Sequence, residues 1–342
     1  MLGMTYVSAR ISSPVAALKT VPHTMLAAVI DAPGQVHIEE VATPKPGPNE
    51  VLVQIEGCGI NPDDVMVWEN SEIDEYPLQP GAPGREAWGW AAAVGADVQR
   101  IKVGDRVAML SGNGFAEYDV APVEDVVRLP IQTLEMPFPS LILAQAMNIF
   151  NRSRVSEGMT VAGVGAGILG SLLASLSAAV GAEVIVLSRR QFALNIAREL
   201  GAKHTVLLNL KRNNAVEKVG KLTDGKMCDV VFEVMGRQEP LLIATEVTKA
   251  GGQLILAATH EGGLRQVNLA LWSERSLDIV NAHQNDPELL REGLRLAVDE
   301  AGRGQLNPGP VCSHIYDLAE VGEALDTTKQ RPDGFLKAMI IM

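Results

Sequence analysis

Cysteine is scarce in this chain. Its three residues, Cys58, Cys228 and Cys312, lie far apart, are odd in number and show no Cys-x-x-Cys spacing, which excludes a disulfide scaffold and a structural zinc knuckle. Such usage fits a reducing compartment, and the cytoplasm is the expected location. Positive charge is short as well: 29 Lys and Arg stand against 41 Asp and Glu, giving a net charge of -12 and a pI near 5.0. A surface of that sign repels phosphate backbones and anionic lipid headgroups, so neither nucleic acid nor a membrane is an expected partner. The longest apolar tract, residues 169–187, has spanning length but is broken by Gly170, Gly181, serines and Glu183, so it reads as a buried helix followed by a buried strand. Internal repeats and low-complexity segments are missing. Acids are missing from residues 1–24, which carry Arg10 and Lys19 ahead of a second natural start at Met25. That stretch reads as a loose, disordered extension, with an organellar targeting peptide as the alternative.

What is present suffices for two cores. The chain's 342 residues, 47% of them hydrophobic, exceed the usual single-core limit of about 250 to 300. From Met25 short strands alternate with Pro/Gly turns, as in "LAAVID", "VHIEEV", "VLVQIEG", "WGWAAAVG", "GDRVAML" and "FAEYDVAP". This is the pattern of a small β-barrel. Beyond Ser156, Val/Ile/Leu runs such as "AEVIVL", "CDVVFEVMG", "GGQLILAAT" and "LDIVNA" alternate with amphipathic helical stretches. That predicts an α/β unit with a doubly wound parallel sheet of six strands.

One turn carries a ligand signal. In "TVAGVGAGILGSLLASL", Gly165, Gly167 and Gly170 have GxGxxG spacing after a strand and at the start of a helix. Glycines there permit a tight turn and close approach of a pyrophosphate to the helix N-terminal N–H groups, at Ile168 and Leu169. Glycines used only for helix–strand packing are the bland alternative. An NAD site wants an acid at the end of the second strand, but "VLSRRQF" offers Ser188, Arg189 and Arg190. Arginines at a helix start oppose its dipole by roughly 0.3 to 1 kcal/mol each, which an anion would offset. A 2′-phosphate held by a guanidinium fork makes NADPH the expected cofactor, ahead of NADH; a solvated helix start is the alternative.

Together "IEGCGINPDD", "PGAPGREAWGW", "VGDRVA", "FAEYDVAP", "GVGAGILG", "ARELGA", "CDVVFEVMG" and "RPDGFLKAMI" resemble the medium-chain dehydrogenase/reductase superfamily, over nearly all of Met25 to Met342. The resemblance implies a GroES-like β-barrel substrate domain over 25–135 and 285–342, and a Rossmann domain over 136–284. It is strongest to the zinc-type sorbitol dehydrogenase branch, while "INPDD" also matches the zinc-independent quinone and enoyl reductases. At the positions where zinc-dependent relatives hold their catalytic metal, this chain has Asn61, Arg85 and Leu141. A guanidinium repels a dication, and "GDRVAML" runs through "SGNGFAEY" without the cysteine-rich lobe that carries a structural zinc in many relatives, so the resemblance implies an enzyme without catalytic or structural zinc.

Arg85 at a ligand position, with Glu86, Asn61 and Asp64 around it, can polarise a substrate as zinc does elsewhere, or can pair with Glu86 or Asp64 and fill the emptied cavity. His260 and His283 each follow a Rossmann strand and suit either product protonation or a structural role. Asn148 is expected near the nicotinamide. Trp68 and Trp88, with Trp90 on the same strand face as Trp88, suit the substrate pocket or the core; Tyr118 is assigned to packing. Two classes of function follow. One is a metal-independent, NADPH-dependent oxidoreductase delivering hydride to a polarised C=C, C=N or C=O bond of a small molecule. The other is a non-catalytic NADPH-binding sensor. A homodimer is expected, because the last Rossmann strand leaves an apolar edge that needs cover.

Overall fold

The computed structural model describes residues 20–69, 75–208, 212–260, 262–283 and 285–342. Most of the segment read as a loose extension, residues 1–19, lies outside them. The chain divides into two compact units, the first ending at Ala144 and resuming over Leu294–Met342, the second running Gln145–Gly293. The changeovers fall inside the helices α2 (Ser140–Asn151) and α8 (Pro287–Gly302) rather than in linkers.

The first unit holds β1 (Thr24–Ala32), β2 (Gln35–Ala42), β3 (Glu50–Gly59), α1 (Pro62–Glu69), β4 (Glu86–Val94), β5 (Arg106–Leu110), β6 (Tyr118–Pro122) and β7 (Val126–Arg128). After α8 the chain adds β14 (His314–Asp317), α9 (Val321–Gln330) and β15 (Ala338–Ile341). Seven strands form one sheet in the order β14-β15-β3-β4-β5-β7, with β6 also on β3, and β1 pairs with β2. β3 organises the sheet: β4 runs along one edge, and β6 and β15 share the other. The β3–β4 register slips twice, and any side chain at Gly89 would collide with the Gln54 carbonyl, so glycine is required at that crossing. Ile30, Val53, Val107, Met109, Phe115 and Ile340 form the core, each such side chain contributing about 1.5–3 kcal/mol by leaving water. Arg106 is buried against Glu56 at 2.8 Å and donates to the Thr133 and Met136 carbonyls, which pins the approach to α2.

The second unit holds β8 (Thr160–Val164), α3 (Ile168–Ala179), β9 (Glu183–Ser188), α4 (Gln191–Glu199), β10 (His204–Leu207), α5 (Arg212–Leu222), β11 (Cys228–Glu233), α6 (Gln238–Val247), β12 (Thr248–Leu256), α7 (Leu269–Glu274) and β13 (Asp278–Asn281). Its six parallel strands take the order β10-β9-β8-β11-β12-β13, the doubly wound arrangement the alternating pattern predicts. Both faces of the sheet are covered. Ala162, Val164 and Val231 enter one core cluster, whereas Val161, Val230 and Phe232 enter the other. That split follows from the two-residue period of a strand and explains why these strands read as unbroken apolar runs. Among the described residues no helix is long and apolar enough to cross a membrane.

Candidate active site

The glycine turn behaves as its spacing predicts. Gly165 follows β8 at φ +121°, a conformation that L side chains rarely adopt, and a Cβ there would press on Val234 and Met235 at 2.6 and 2.8 Å. Gly170 must lack a side chain because one would meet the Gly165 carbonyl. Gly167, the N-cap of α3, has open space where a Cβ would stand, and no side chain caps the helix. The first N–H groups, at Ile168 and Leu169, are therefore left for an anion. At the end of β9, Ser188 is buried and its Oγ accepts from the Arg190 N–H at 3.2 Å; Arg189 is exposed and Arg190 half-buried. Asn148 on α2 is 8% exposed, and its Nδ2 is buried without a protein acceptor, an orphan donor that a bound group can satisfy. The open helix start, the close-approach glycines and this orphan amide fit a dinucleotide.

Glu233, the last residue of β11, is fully buried and accepts from the Met235 and Gly236 N–H groups at 2.8 and 3.0 Å. Burial pushes its carboxyl up to about 7, against the pull of those N–H groups and of Arg265. His260 Nε2 lies 3.1 Å from Glu233 Oε2, a contact without hydrogen-bond alignment. Burial and the nearby Arg265 hold the His260 ring below its usual value. The histidine thus joins the turn after β11 to the segment after β12. A cavity of about 490 Å³ adjoins these turns, lined by Met235, Gly236, Arg237, Gln238, Thr259 and Arg265. His283 is half-buried just after β13.

The first unit gathers the charged residues. "NPDD" starts α1 with a reciprocal cap: Asn61 Oδ1 accepts from the Asp63 N–H at 3.1 Å, and Asp64 Oδ2 accepts from the Asn61 N–H at 2.7 Å. Pro62 at the first helical position gives up an N–H that would have no partner. Asp64 Oδ1 then takes Arg85 Nε at 3.2 Å, and Arg85 Nη2 lies 3.2 Å from Asp63 Oδ2. The neighbouring charges Arg85 and Glu86 do not pair with each other. Glu86 Oε1 accepts from Asn61 Nδ2 at 2.9 Å, and Glu86 Oε2 lies 2.6 Å from Lys337 Nζ. Asp64 and Glu86 are fully buried and Lys337 is 3% exposed, while the Arg85 side chain keeps 34% of its surface. Burial raises Asp64 to about 7, opposed by Arg85 and the Asn61 N–H and reinforced by Glu86. Burial also drives the Cys58 thiol well above its ordinary value, with Asp64 adding to it.

Four of the residues singled out in the sequence therefore meet: Asn61, Asp64, Arg85 and Glu86. Lys337 was missed. Its only signal is a lysine inside the apolar run "GFLKAMII", 251 positions from Glu86. The donor set does not suit zinc, because the Asn61 amide is committed at both ends, Arg85 is a cation and Leu141 is a buried hydrocarbon. The tryptophans need correction as pocket residues. Trp68 is 5% exposed in the core and donates to Asp326 at 2.9 Å; Trp88 is 1% exposed, with its ring against Gly57. Both are held by packing. Trp90 stays half-buried, and Tyr118 packs in a small cluster with Met25 and Leu52.

Comparison with known proteins agrees with the fold of the two units. Residues 47–131 match the alcohol dehydrogenase GroES-like domain, and residues 169–299 match the zinc-binding dehydrogenase family. The chain belongs to the medium-chain dehydrogenase/reductase superfamily. Within that superfamily of oxidoreductases, it is 25% identical to the sorbitol dehydrogenase of Bacillus subtilis, over 94% of this chain and 98% of that protein. A quinone oxidoreductase-like protein 2 homolog of Nematostella vectensis is 29% identical, over 86% of this chain and 82% of that protein. A structure described as a zinc-binding dehydrogenase, from Sinorhizobium meliloti and bound to NADP, superimposes with a TM-score of 0.80 at 23% identity, covering 94% and 100% of the two chains.

Proposed function

We propose that this medium-chain oxidoreductase is an NADPH-dependent reductase that acts on a small molecule without a metal, with Arg85 as the polarising group. The observation that carries the reading is the Arg85 guanidinium, fixed on one side by Asp63 and Asp64 with a third of its side-chain surface still open; the family resemblance sets it where relatives hold a zinc ligand. When bound, the nicotinamide supplies the hydride. The chain's residues supply orientation and charge. The N–H groups of Ile168 and Leu169 receive the pyrophosphate, Arg189 and Arg190 the 2′-phosphate, and Asn148 Nδ2 an acceptor on the ligand. Arg85 Nε and Nη2 face the two aspartates, which leaves Nη1 to donate to the atom that gains negative charge. Donors fixed before the reaction stabilise that charge without reorganisation. The acceptor bond is a polarised C=C, C=N or C=O. A homodimer through the free edge of β13 belongs to the same reading, with Leu264 and Leu269 exposed in the same unit.

The test is NADPH consumption with enones, quinones, imines and ketones, comparing the natural chain with Arg85→Ala. Turnover that depends on Arg85 supports the reading. Tight NADPH binding with no turnover on any of the four classes favours a cofactor sensor instead.

A further inference from the structure

We propose that Lys337 is a positioning residue for Arg85, acting through Glu86, Asn61 and Asp64; this rests on the reading that Arg85 polarises the substrate. The Lys337–Glu86 pair is almost wholly removed from water. Buried ion pairs seldom add stability over apolar replacements of similar size, so a gain in fold stability is a weak reason for this one. The molecule nevertheless keeps room for it: a side chain at Gly59 would collide with the Glu86 carboxylate and the Lys337 stem. The Lys337 backbone is held on both sides. Its N–H donates to Ser313 Oγ at 3.1 Å and its carbonyl accepts from the Ser313 and His314 N–H groups at 3.0 Å. The ammonium stands 2.6 Å from Glu86 Oε2, an ion pair held by charge without hydrogen-bond alignment.

From Glu86 the contacts run in one direction. With Oε2 facing Lys337, Glu86 presents Oε1 to Asn61 Nδ2. That fixes which way the Asn61 amide faces and sends its Oδ1 to the Asp63 N–H. The closed cap holds Asp64 Oδ2 on the Asn61 N–H, leaving Oδ1 as the one oxygen for Arg85 Nε. Without the lysine, a buried carboxylate has lost its cation, the amide loses its anchored acceptor, and the guanidinium is no longer aimed. A displacement of about 1 Å at a reacting group can cost roughly a hundredfold in rate.

The test reads Arg85 directly. In isotope-labelled protein, the Arg85 Nε–H signal is assigned by its loss in Arg85→Lys, and its exchange with solvent is followed by NMR. Lys337→Met should speed that exchange by about tenfold or more, the scale expected for removing a member of a hydrogen-bond network. Lys337→Arg should keep it slow and retain turnover. Unchanged exchange in folded Lys337→Met overturns the proposal. If that variant does not fold, Asn61→Ser decides, because a serine can still cap α1 but has no second group to offer Glu86. Faster Arg85 Nε–H exchange in that variant supports the relay, and unchanged exchange overturns it. Loss of the functional reading shows separately, as Arg85→Ala with full turnover, and leaves the NMR result intact.

Discussion

The two units carry their chemistry in opposite ways. In the second, the groups expected at the pyrophosphate lie within six consecutive residues, Gly165 to Gly170, and the geometry is backbone geometry: a positive φ, an open helix start, a carbonyl against a glycine. In the first, the charged groups come from α1, from the start of β4 and from the residue before β15, and they meet only because β3 pairs with both strands. A site made of backbone can be read from spacing. One made of side chains depends on the sheet that gathers them.

Breaking each unit in turn sharpens that contrast. The largest effect is expected at the dinucleotide end. Arg189→Ala with Arg190→Ala removes up to two charge-assisted bonds to a 2′-phosphate, each worth about 1.5 to 3 kcal/mol. Titrations should show NADPH binding weakened far more than NADH binding, and equal losses would reject the 2′-phosphate role. Next is Arg85→Ala, which should lower turnover by about a hundredfold or more, since one preorganised donor is worth about 2.7 to 4 kcal/mol. The NADPH dissociation constant should hardly move. Arg85→Lys should rescue little, because an ammonium does not reproduce the planar fork; full activity with a lower Tm would make Arg85 structural.

A smaller effect compares the two buried acids. Asp64 and Glu233 are both raised to about 7, well above their unfolded values, so each binds a proton more tightly when folded. The stability this adds is present at low pH and is lost as pH rises from about 4 through about 7. Glu233→Gln mimics the protonated form, so its Tm relative to the natural chain should improve between pH 5 and pH 8. Asp64→Asn should show the same sign at a comparable size, because its folded value near 7 already includes the opposing pull of Arg85. A difference that does not vary with pH would contradict the burial argument. Smallest of all is the effect of metal removal: chelators should leave activity unchanged, and elemental analysis should find no stoichiometric zinc.

Legibility followed the same division. The six parallel strands and the glycine turn could be reached from residue patterns, because they rest on strand period and turn chemistry; that Asn61, Asp64, Arg85 and Glu86 stand together was implied only by the family resemblance. Trp68 and Trp88 could not be assigned, since a large aromatic in a β-rich segment reads alike whether it faces a pocket or a core. Lys337 was hidden by its surroundings. A lysine just ahead of an apolar strand shows no partner until the strand is docked, and its partner here lies on another strand from an early part of the chain. His260 was visible as a candidate, but Glu233 beneath it was not, because a glutamate ending a strand gives no sign of how deeply it is buried.

The cap of α1 constrains any attempt to change the chemistry. Asn61 is at once the residue that caps a helix and the residue that the family resemblance sets at a metal-ligand position. A designer who installs a cysteine there to recruit zinc gives up a good N-cap, at about 0.5 to 2 kcal/mol, before gaining a ligand. Replacing Arg85 with histidine then leaves Asp63 and Asp64 without the cation they share. Each single step toward a metal site is therefore a step down in folding, and the exchange becomes tolerable only when made all at once. The present arrangement works as a ratchet, easier to keep than to reverse.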